Sequence, residues 1–264
     1  MSPKNLNVSK KTHKFLLNKL KDKVIFRIYN RFEKNLNLNE NFIVAVSGGS
    51  DSLALSFLSK IYSIRKHLKV KYVHVDHKLR ANSTKEAKYV KILFKKLSSN
   101  LEVLNWIGKK PKSNIQSIAR DKRYELLIKK AKKLKINNIL LGHHKDDLIE
   151  NFFIRILRGS GLNGIVSFDQ KTNQQNINLI RPLLKFSKIN LEYITKKIFK
   201  NYIEDPSNYN DEFRRVKIRN FIKNLELEGL DNKKFNLTIK NLRFANESIK
   251  FFVKKNLKDN STIS

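Results

Sequence analysis

The sequence predicts an α/β fold: a doubly wound parallel sheet followed by a small C-terminal helical appendage. Three observations carry this. Apolar, mostly β-branched runs at Phe42–Val46, Val70–Val75, Leu101–Ile107 and Ile139–Leu141 alternate with segments of helical spacing, the pattern of a parallel sheet with crossover helices. Polar clusters stand at the carboxyl ends of three of these runs, where such sheets bind ligands: Ser47 to Ser52, Asp76-His77 and His143-His144. The 264 residues suit one sizeable α/β domain with an appendage. The expected divisions are a basic helical segment at 1–40, the α/β domain at 41–212 and a basic helical region at 213–264.

Leu16, Leu20, Val24, Ile28, Phe32 and Leu36 recur every four residues and predict an amphipathic helix with one possible break. The first strand runs straight into Ser47-Gly48-Gly49-Ser50-Asp51-Ser52, and Leu53, Ala54, Leu55, Phe57 and Leu58 then follow at helical spacing. Glycines there let the backbone take positive φ and approach a ligand closely. Backbone N–H groups at a helix start favour an anion such as pyrophosphate, and Ser47, Ser50 and Ser52 add hydroxyl donors. Asp51 repels phosphate unless Mg²⁺ or a cationic substrate joins it.

Ser83-x-x-Glu86 and Ser113-x-x-Gln116 predict capped helix starts. Gly159-Ser160-Gly161-Leu162-Asn163-Gly164 matches a dinucleotide fingerprint but follows a helix, so it predicts a helix end and loop. Residues 166–178 are polar and predict a surface loop, Leu179–Leu184 a short strand or arm, and Ser187 to about Asn201 a helix. Two basic helices are expected near Arg214–Leu227 and Phe235–Leu257, with a frayed end at Ser261–Ser264.

Lys and Arg number 56 against 23 Asp and Glu, a net charge of +33. This favours a polyanionic partner, RNA or DNA first. Cysteine is absent, which excludes disulfides, Cys-ligated zinc, iron–sulfur clusters and thiol chemistry on this chain. No stretch is apolar and long enough to span a membrane, and no apolar signal core opens the sequence, so a cytoplasmic protein is expected. Asp147 and Glu150 fall one turn apart on one helix face. Two such carboxylates can bind an ammonium and accept its proton, or simply suit a helix start.

The string Ser47-Gly48-Gly49-Ser50-Asp51-Ser52 resembles the PP-loop of the ATP-pyrophosphatase superfamily, whose fold is adenine-nucleotide α-hydrolase-like. Over roughly residues 42–220 the chain resembles one family within it, the tRNA(Ile)-lysidine synthases. The further pieces are Val75-Asp76-His77-Lys78-Leu79-Arg80; Asn114-x-Gln116-x-x-Ala119-Arg120-x-x-Arg123-Tyr124; Leu141-Gly142-His143-His144-x-Asp146-Asp147-x-x-Glu150; Arg158-Gly159-Ser160-Gly161-Leu162; Arg181-Pro182-Leu183-Leu184; and Glu204-Asp205-Pro206-Ser207-Asn208.

The resemblance implies an ATP-dependent ligase. ATP adenylates O2 of the wobble cytidine of a tRNA(Ile) with a CAU anticodon and releases pyrophosphate. Free L-lysine then displaces AMP at C2, giving lysidine. ATP and Mg²⁺ are the implied cofactors. Ser47, Gly48, Gly49, Ser50, Asp51 and Ser52 would hold the nucleotide, with Asp51 near the metal. Asp51, Asp147 and Glu150 would be catalytic, the last two holding the lysine. Asp76, His77, Arg120, Arg123, His143 and His144 would contact base, ribose, adenine or tRNA phosphate, rather than form a zinc site; His74 suits a core position. Asn151 departs from the threonine usual after the glutamate. Many members carry further C-terminal domains, so here the basic helices are expected to grip the tRNA, or recognition is less stringent. Another PP-loop tRNA-modifying enzyme, such as a cysteine-dependent thiolase, or an ammonia-using ligase is the alternative, and a silent RNA-binding protein a third. The oligomeric state stays open, a homodimer included.

Overall fold

The computed structural model describes residues 13–111, 113–204 and 214–260. Helical residues 13–18 and a 3₁₀ turn at Lys19–Lys21 lead into α1 (Lys23–Leu36). The predicted break falls at Asp22, whose carboxylate caps α1 by accepting from the N–H groups of Val24 and Ile25. Then follow β1 (Phe42–Val46), α2 (Ser50–Arg65), β2 (Val70–Asp76), α3 (Ser83–Leu93), β3 (Leu101–Asn105), α4 (Ile115–Leu134), β4 (Asn138–Leu140), α5 (Lys145–Ile156), α6 (Leu162–Val166), β5 (Lys171–Gln174), β6 (Ile177–Ile180), α7 (Lys188–Phe199), α8 (Arg214–Leu227) and α9 (Asn232–Asn260).

The strands form one sheet in the order β3-β2-β1-β4-β6-β5, parallel throughout except for β5 against β6. Side chains alternate across it, as the strand period requires. Phe42, Val44 and Val46 of β1 join Tyr29, Phe32, Phe57, Tyr62, Phe94 and Ile194 in a core on one face. Ile43 joins Val73, Ile139, Leu179 and the α4 residues Tyr124, Leu127 and Ile128 on the other. Each such fully buried side chain contributes about 2 kcal/mol from apolar area alone. Strand order reverses at β1, with β2 on one side and β4 on the other. The crevice beyond the carboxyl ends of β1 and β4 is therefore the place where a sheet of this kind holds a ligand.

The chain forms two compact units, Met1–Lys145 with Gln170–Asp205, and Asp146–Asp169 with Pro206–Ser264. This differs from the divisions expected after residues 40 and 212. The 1–40 segment is not separate where described, because the apolar stripe of α1 (Ile25, Ile28, Tyr29, Phe32, Leu36) is part of the sheet's core. The second unit takes in α5 and α6 as well as α8 and α9. In it Phe152 meets Phe235 edge-on at 5.1 Å and Phe153 meets Phe221 at 5.6 Å between ring centres. Arg243 pairs with Asp169 at 3.1 Å and donates to the Phe168 carbonyl at 2.9 Å.

Three local expectations are corrected. The polar stretch 166–178 is not simply a loop: it holds the end of α6, all of β5 and the start of β6. Gln175 and Asn176 take positive φ (52° and 66°), the conformation of a two-residue hairpin turn, and Ile177 is buried behind it. The capping box at Ser83 does not form. Asn82 precedes the helix without a side-chain cap, and the Thr84 hydroxyl donates instead to Asp76. Ser113 likewise lies outside the helix start, where Asn114 takes φ 49°. Most of the Glu204–Asn208 motif and the end at Ser261–Ser264 lie outside the described residues.

Candidate active site

β1 delivers the chain into a tight loop that ends in α2. Gly48 has φ +97°, and a Cβ there would stand 2.7 Å from Val90 Cγ2 and 2.9 Å from Ile203 Cδ1. Both backbone and space demand glycine. Gly49 differs. Its backbone is ordinary and extended (φ −74°, ψ 166°), and the nearest atoms to an added Cβ, the Ile203 carbonyl and Ser47 Oγ, are 3.8 Å away. The fold does not require glycine at position 49; a ligand approaching the backbone would.

The hydroxyls are turned inward. Ser52 Oγ accepts from the N–H groups of Ser47 (3.2 Å) and Gly48 (3.1 Å), lies 3.1 Å from Ser47 Oγ, and donates to the Gly49 carbonyl at 3.0 Å. Ser52 thus braces the loop, against the expectation that all three serine hydroxyls serve an anion. Ser50 Oγ donates to Asp51 Oδ1 at 3.2 Å. The first intrahelical bond of α2 runs from the Leu53 N–H to the Gly49 carbonyl. The N–H groups of Ser50 and Asp51 precede it, at a helix start of the kind that favours an anion.

β4 brings the second polar cluster to the same place. A Cβ on Gly142 would lie 3.2 Å from the Cα and N of Ser52 and 3.4 Å from the Asp51 carbonyl carbon, so glycine permits this close approach. His144, buried, sets Nε2 at 3.7 Å from Asp51 Oδ2. His143 is half-buried beside it in the chain. Among the described residues no group of three or more His, Cys, Asp or Glu could hold a metal ion by itself. Asp51, with its side chain 25% exposed beside the helix-start amides, fits the other way of holding Mg²⁺: one carboxylate shared with substrate phosphates. A hollow lined by Asn39, Glu40, Lys135 and Asn137 lies at the amino-terminal ends of β1 and β4, away from these groups.

A third cluster forms beyond β2. Asp76 is buried, and accepts from the Lys78 N–H at 2.9 Å and the Thr84 hydroxyl at 3.0 Å. Burial opposes its charge, yet these donors, with Ser83 and nearby His74, hold its carboxyl below the usual range. Both oxygens thus help to fix the 77–84 connection. His77 Nε2 accepts from Arg123 Nε at 3.4 Å, and its ring meets Trp106 edge-on at 6.1 Å. Burial, then the positive charge of Arg123, lowers its pKa to about 4, so at neutral pH His77 is an uncharged acceptor. Lys110 donates to the carbonyls of His77 (2.7 Å) and Trp106 (3.1 Å), and sits 4.2 Å over the indole. Arg120 lies over the Tyr124 ring at 5.2 Å. His74 is a core residue, with Nδ1 2.8 Å from the Val46 carbonyl.

In the second unit, Asp147 is half-buried on the first turn of α5 and Glu150 is buried. Glu150 Oε1 accepts from Arg219 Nε at 2.5 Å, and its other oxygen has no hydrogen-bond partner among the described residues. Burial raises the Glu150 pKa above the usual carboxylate range, outweighing the opposing pull of Arg219. Half of the predicted acidic pair is therefore already satisfied by an arginine of α8. Asn151, at the departure from the family pattern, accepts from Arg155 Nε at 2.5 Å.

Trp106, Lys110, Ile203 and Arg219 were not predicted. Trp106 is the chain's single tryptophan and had that signal; Arg219 is one of several basic residues in its stretch and had none.

Residues 20–226 match the PP-loop domain family. The chain is 36% identical over 204 residues to a tRNA(Ile)-lysidine synthase of Orientia tsutsugamushi, covering 77% of this chain and 45% of that protein. It is 35% identical over 218 residues to one of Wolbachia pipientis wMel, covering 82% and 51%. A third, from Bradyrhizobium diazoefficiens, is 34% identical over 209 residues, covering 78% and 58%. The chain thus spans about half the length of these curated relatives. In fold it is similar to the U34-tRNA thiolase NcsA of Methanococcus maripaludis with its [4Fe-4S] cluster, at a TM-score of 0.72, 16% identity and coverage of 85% of this chain and 79% of that one. This chain has no cysteine with which to hold such a cluster. No helix among the described residues is long and apolar enough to cross a membrane. A glycine loop braced by its own serine, opening a helix at the reversal point of a parallel sheet, accounts for the family match in physical terms: this chain belongs to the PP-loop family.

Proposed function

We propose that the chain carries out ATP-dependent ligation of free L-lysine to C2 of the wobble cytidine of a tRNA(Ile) with a CAU anticodon, forming lysidine. The observations that support this most are the similarity to tRNA(Ile)-lysidine synthases over 77% of this chain and the PP-loop match over residues 20–226, which hold the loop, the His143-His144 end and the acidic helix in order. The chemistry balances in two steps. Cytidine O2 attacks the α-phosphorus of ATP and pyrophosphate leaves. The lysine ε-amine then attacks C2, AMP departs with the original O2, and the amine's proton passes to a base.

Each group has work that its geometry suits. The N–H groups of Gly49, Ser50 and Asp51 stabilise the charge that builds on the leaving pyrophosphate. Asp51 would hold Mg²⁺, which supplies charge neutralisation at the phosphates. His144 stands beside the Asp51 carboxylate, at the same edge of the sheet as the phosphates. His77, neutral, offers an acceptor to a base or ribose. Asp147 takes the lysine ammonium and then its proton. Glu150, clamped by Arg219, fixes the face on which Asp147 stands. The excess of Lys and Arg neutralises tRNA phosphates.

The two steps separate experimentally. With α-labelled ATP and no lysine, label should pass from ATP to the CAU-anticodon tRNA. Lysine added afterwards should discharge it as AMP, and Asp147→Asn should slow only the discharge. Failure of label to reach the tRNA in the unaltered protein would overturn the proposal.

A further inference from the structure

The residues after α7 have no part in the chemistry just proposed, yet they touch the loop at its most pliable point. The Ile203 N–H donates to the Gly48 carbonyl at 3.0 Å. The Ile203 side chain and Val90 enclose Gly48 so closely that not even a Cβ fits. Along α7, the buried Thr195 hydroxyl donates to the Ser50 carbonyl at 2.7 Å. We infer that Ile203 is a positioning residue for the PP-loop, its N–H and side chain locking the Gly48–Gly49 peptide so that the Gly49 N–H faces the pyrophosphate.

The argument rests on planarity. A trans peptide sets its N–H opposite its carbonyl, so whatever pins the Gly48 carbonyl also aims the Gly49 N–H. Two adjacent glycines form the dipeptide most free to flip, and a flipped peptide would turn an oxygen towards the phosphates. Ser52 binds the groups on either side, the Ser47 and Gly48 N–H groups and the Gly49 carbonyl, but makes no bond to the Gly48 carbonyl. Ile203 acts on the carbonyl itself, and Thr195 holds the next one but one. α7 and its tail thus keep the donors aimed before any ligand arrives, which lowers the cost of binding.

The inference rests on the loop being a pyrophosphate site, and the test separates the two. Binding of inorganic pyrophosphate with Mg²⁺ is measured by calorimetry on the full chain and on Ile203→Val, Ile203→Ala, Ile203→Pro and Thr195→Val. Ile203→Val keeps both the N–H and a wall against Gly48 and should bind as the unaltered chain does. Ile203→Ala opens the wall and Ile203→Pro deletes the donor. Each should weaken pyrophosphate by about tenfold, the effect of one mis-set hydrogen bond. Thr195→Val should weaken it by roughly threefold. In turnover, the KM for ATP should rise while that for lysine stays constant, a split that general loosening would not give. If the unaltered chain binds no pyrophosphate, the loop reading falls and the inference with it. If it binds and the Ala and Thr195 variants bind equally well, the loop reading stands and the positioning role is overturned.

Discussion

Asp51 and Glu150 have similar local settings and different fates. Both stand on a helix that follows a parallel strand, Asp51 on the first turn of α2 and Glu150 on the second turn of α5. Asp51 keeps a quarter of its side chain exposed at the helix start, with His144 at 3.7 Å. Glu150 is 4% exposed and held by Arg219 at 2.5 Å. The first carboxylate stays open to solvent, and one oxygen of the second is taken up by an arginine of the protein. Spacing along a helix shows which face an acid occupies. It does not show whether a distant arginine has already claimed it.

The largest test of this contrast is Asp51→Ala. Pyrophosphate release should fall by about 10³-fold or more, while the melting temperature stays nearly unchanged, because the residue sits partly exposed on the first turn of α2 and not in the core. Arg219→Ala should do the reverse. It strands a buried carboxylate, so stability should drop by about 3 kcal/mol in denaturant titration. Asp147→Asn should cost less than about 1 kcal/mol and instead raise the KM for lysine by about tenfold. If Arg219→Ala proved stable and merely lost lysine affinity, Glu150 would belong with Asp51 after all.

The two loop glycines sharpen the comparison further. Gly48→Ala should destabilise the fold by about 2 kcal/mol, from the positive φ and the crowding by Val90 and Ile203. Gly49→Ala should leave stability within about 0.5 kcal/mol and lose pyrophosphate binding, since only the ligand needs that space. Equal stability losses at both positions would place Gly49 in the folding account alone.

The smallest effect is in pH dependence. His77 is lowered from 6.5 to about 4 in the folded chain. Between those values the unfolded chain takes up a proton that the folded one refuses, so stability falls as pH drops through that window and is flat above it. Asp76, held below its usual 3.8, extends the decline at lower pH. His77→Gln should flatten the slope between about pH 6.5 and 4, read from denaturation midpoints.

The sheet was legible because each parallel strand is an apolar run bounded by turn residues, and β1 with its loop was readable to the residue. β5 was not, since Lys171–Gln174 is an edge strand made of polar residues that pairs through its backbone and carries no apolar period. The loop residues were legible as a string, but not their division of labour: nothing in Ser-Gly-Gly-Ser-Asp-Ser marks Ser52 as the internal brace or separates Gly48 from Gly49. The Asp76 network and the Glu150–Arg219 pair are side-chain geometry between elements distant in sequence, which spacing within one segment cannot encode. Ile203 looked like an ordinary apolar residue because its effect on the loop runs through a backbone N–H.

The most direct measurement of the central claim is a stoichiometry. The chain is incubated with ATP, labelled L-lysine and a tRNA(Ile) bearing the CAU anticodon, and lysine in the tRNA, AMP and pyrophosphate are counted together. The account predicts one AMP and one pyrophosphate per lysine incorporated, with the label confined to the wobble cytidine and lost in Asp51→Ala. ATP-dependent pyrophosphate release with no lysine in the tRNA, or lysine incorporated at another nucleotide, would contradict it.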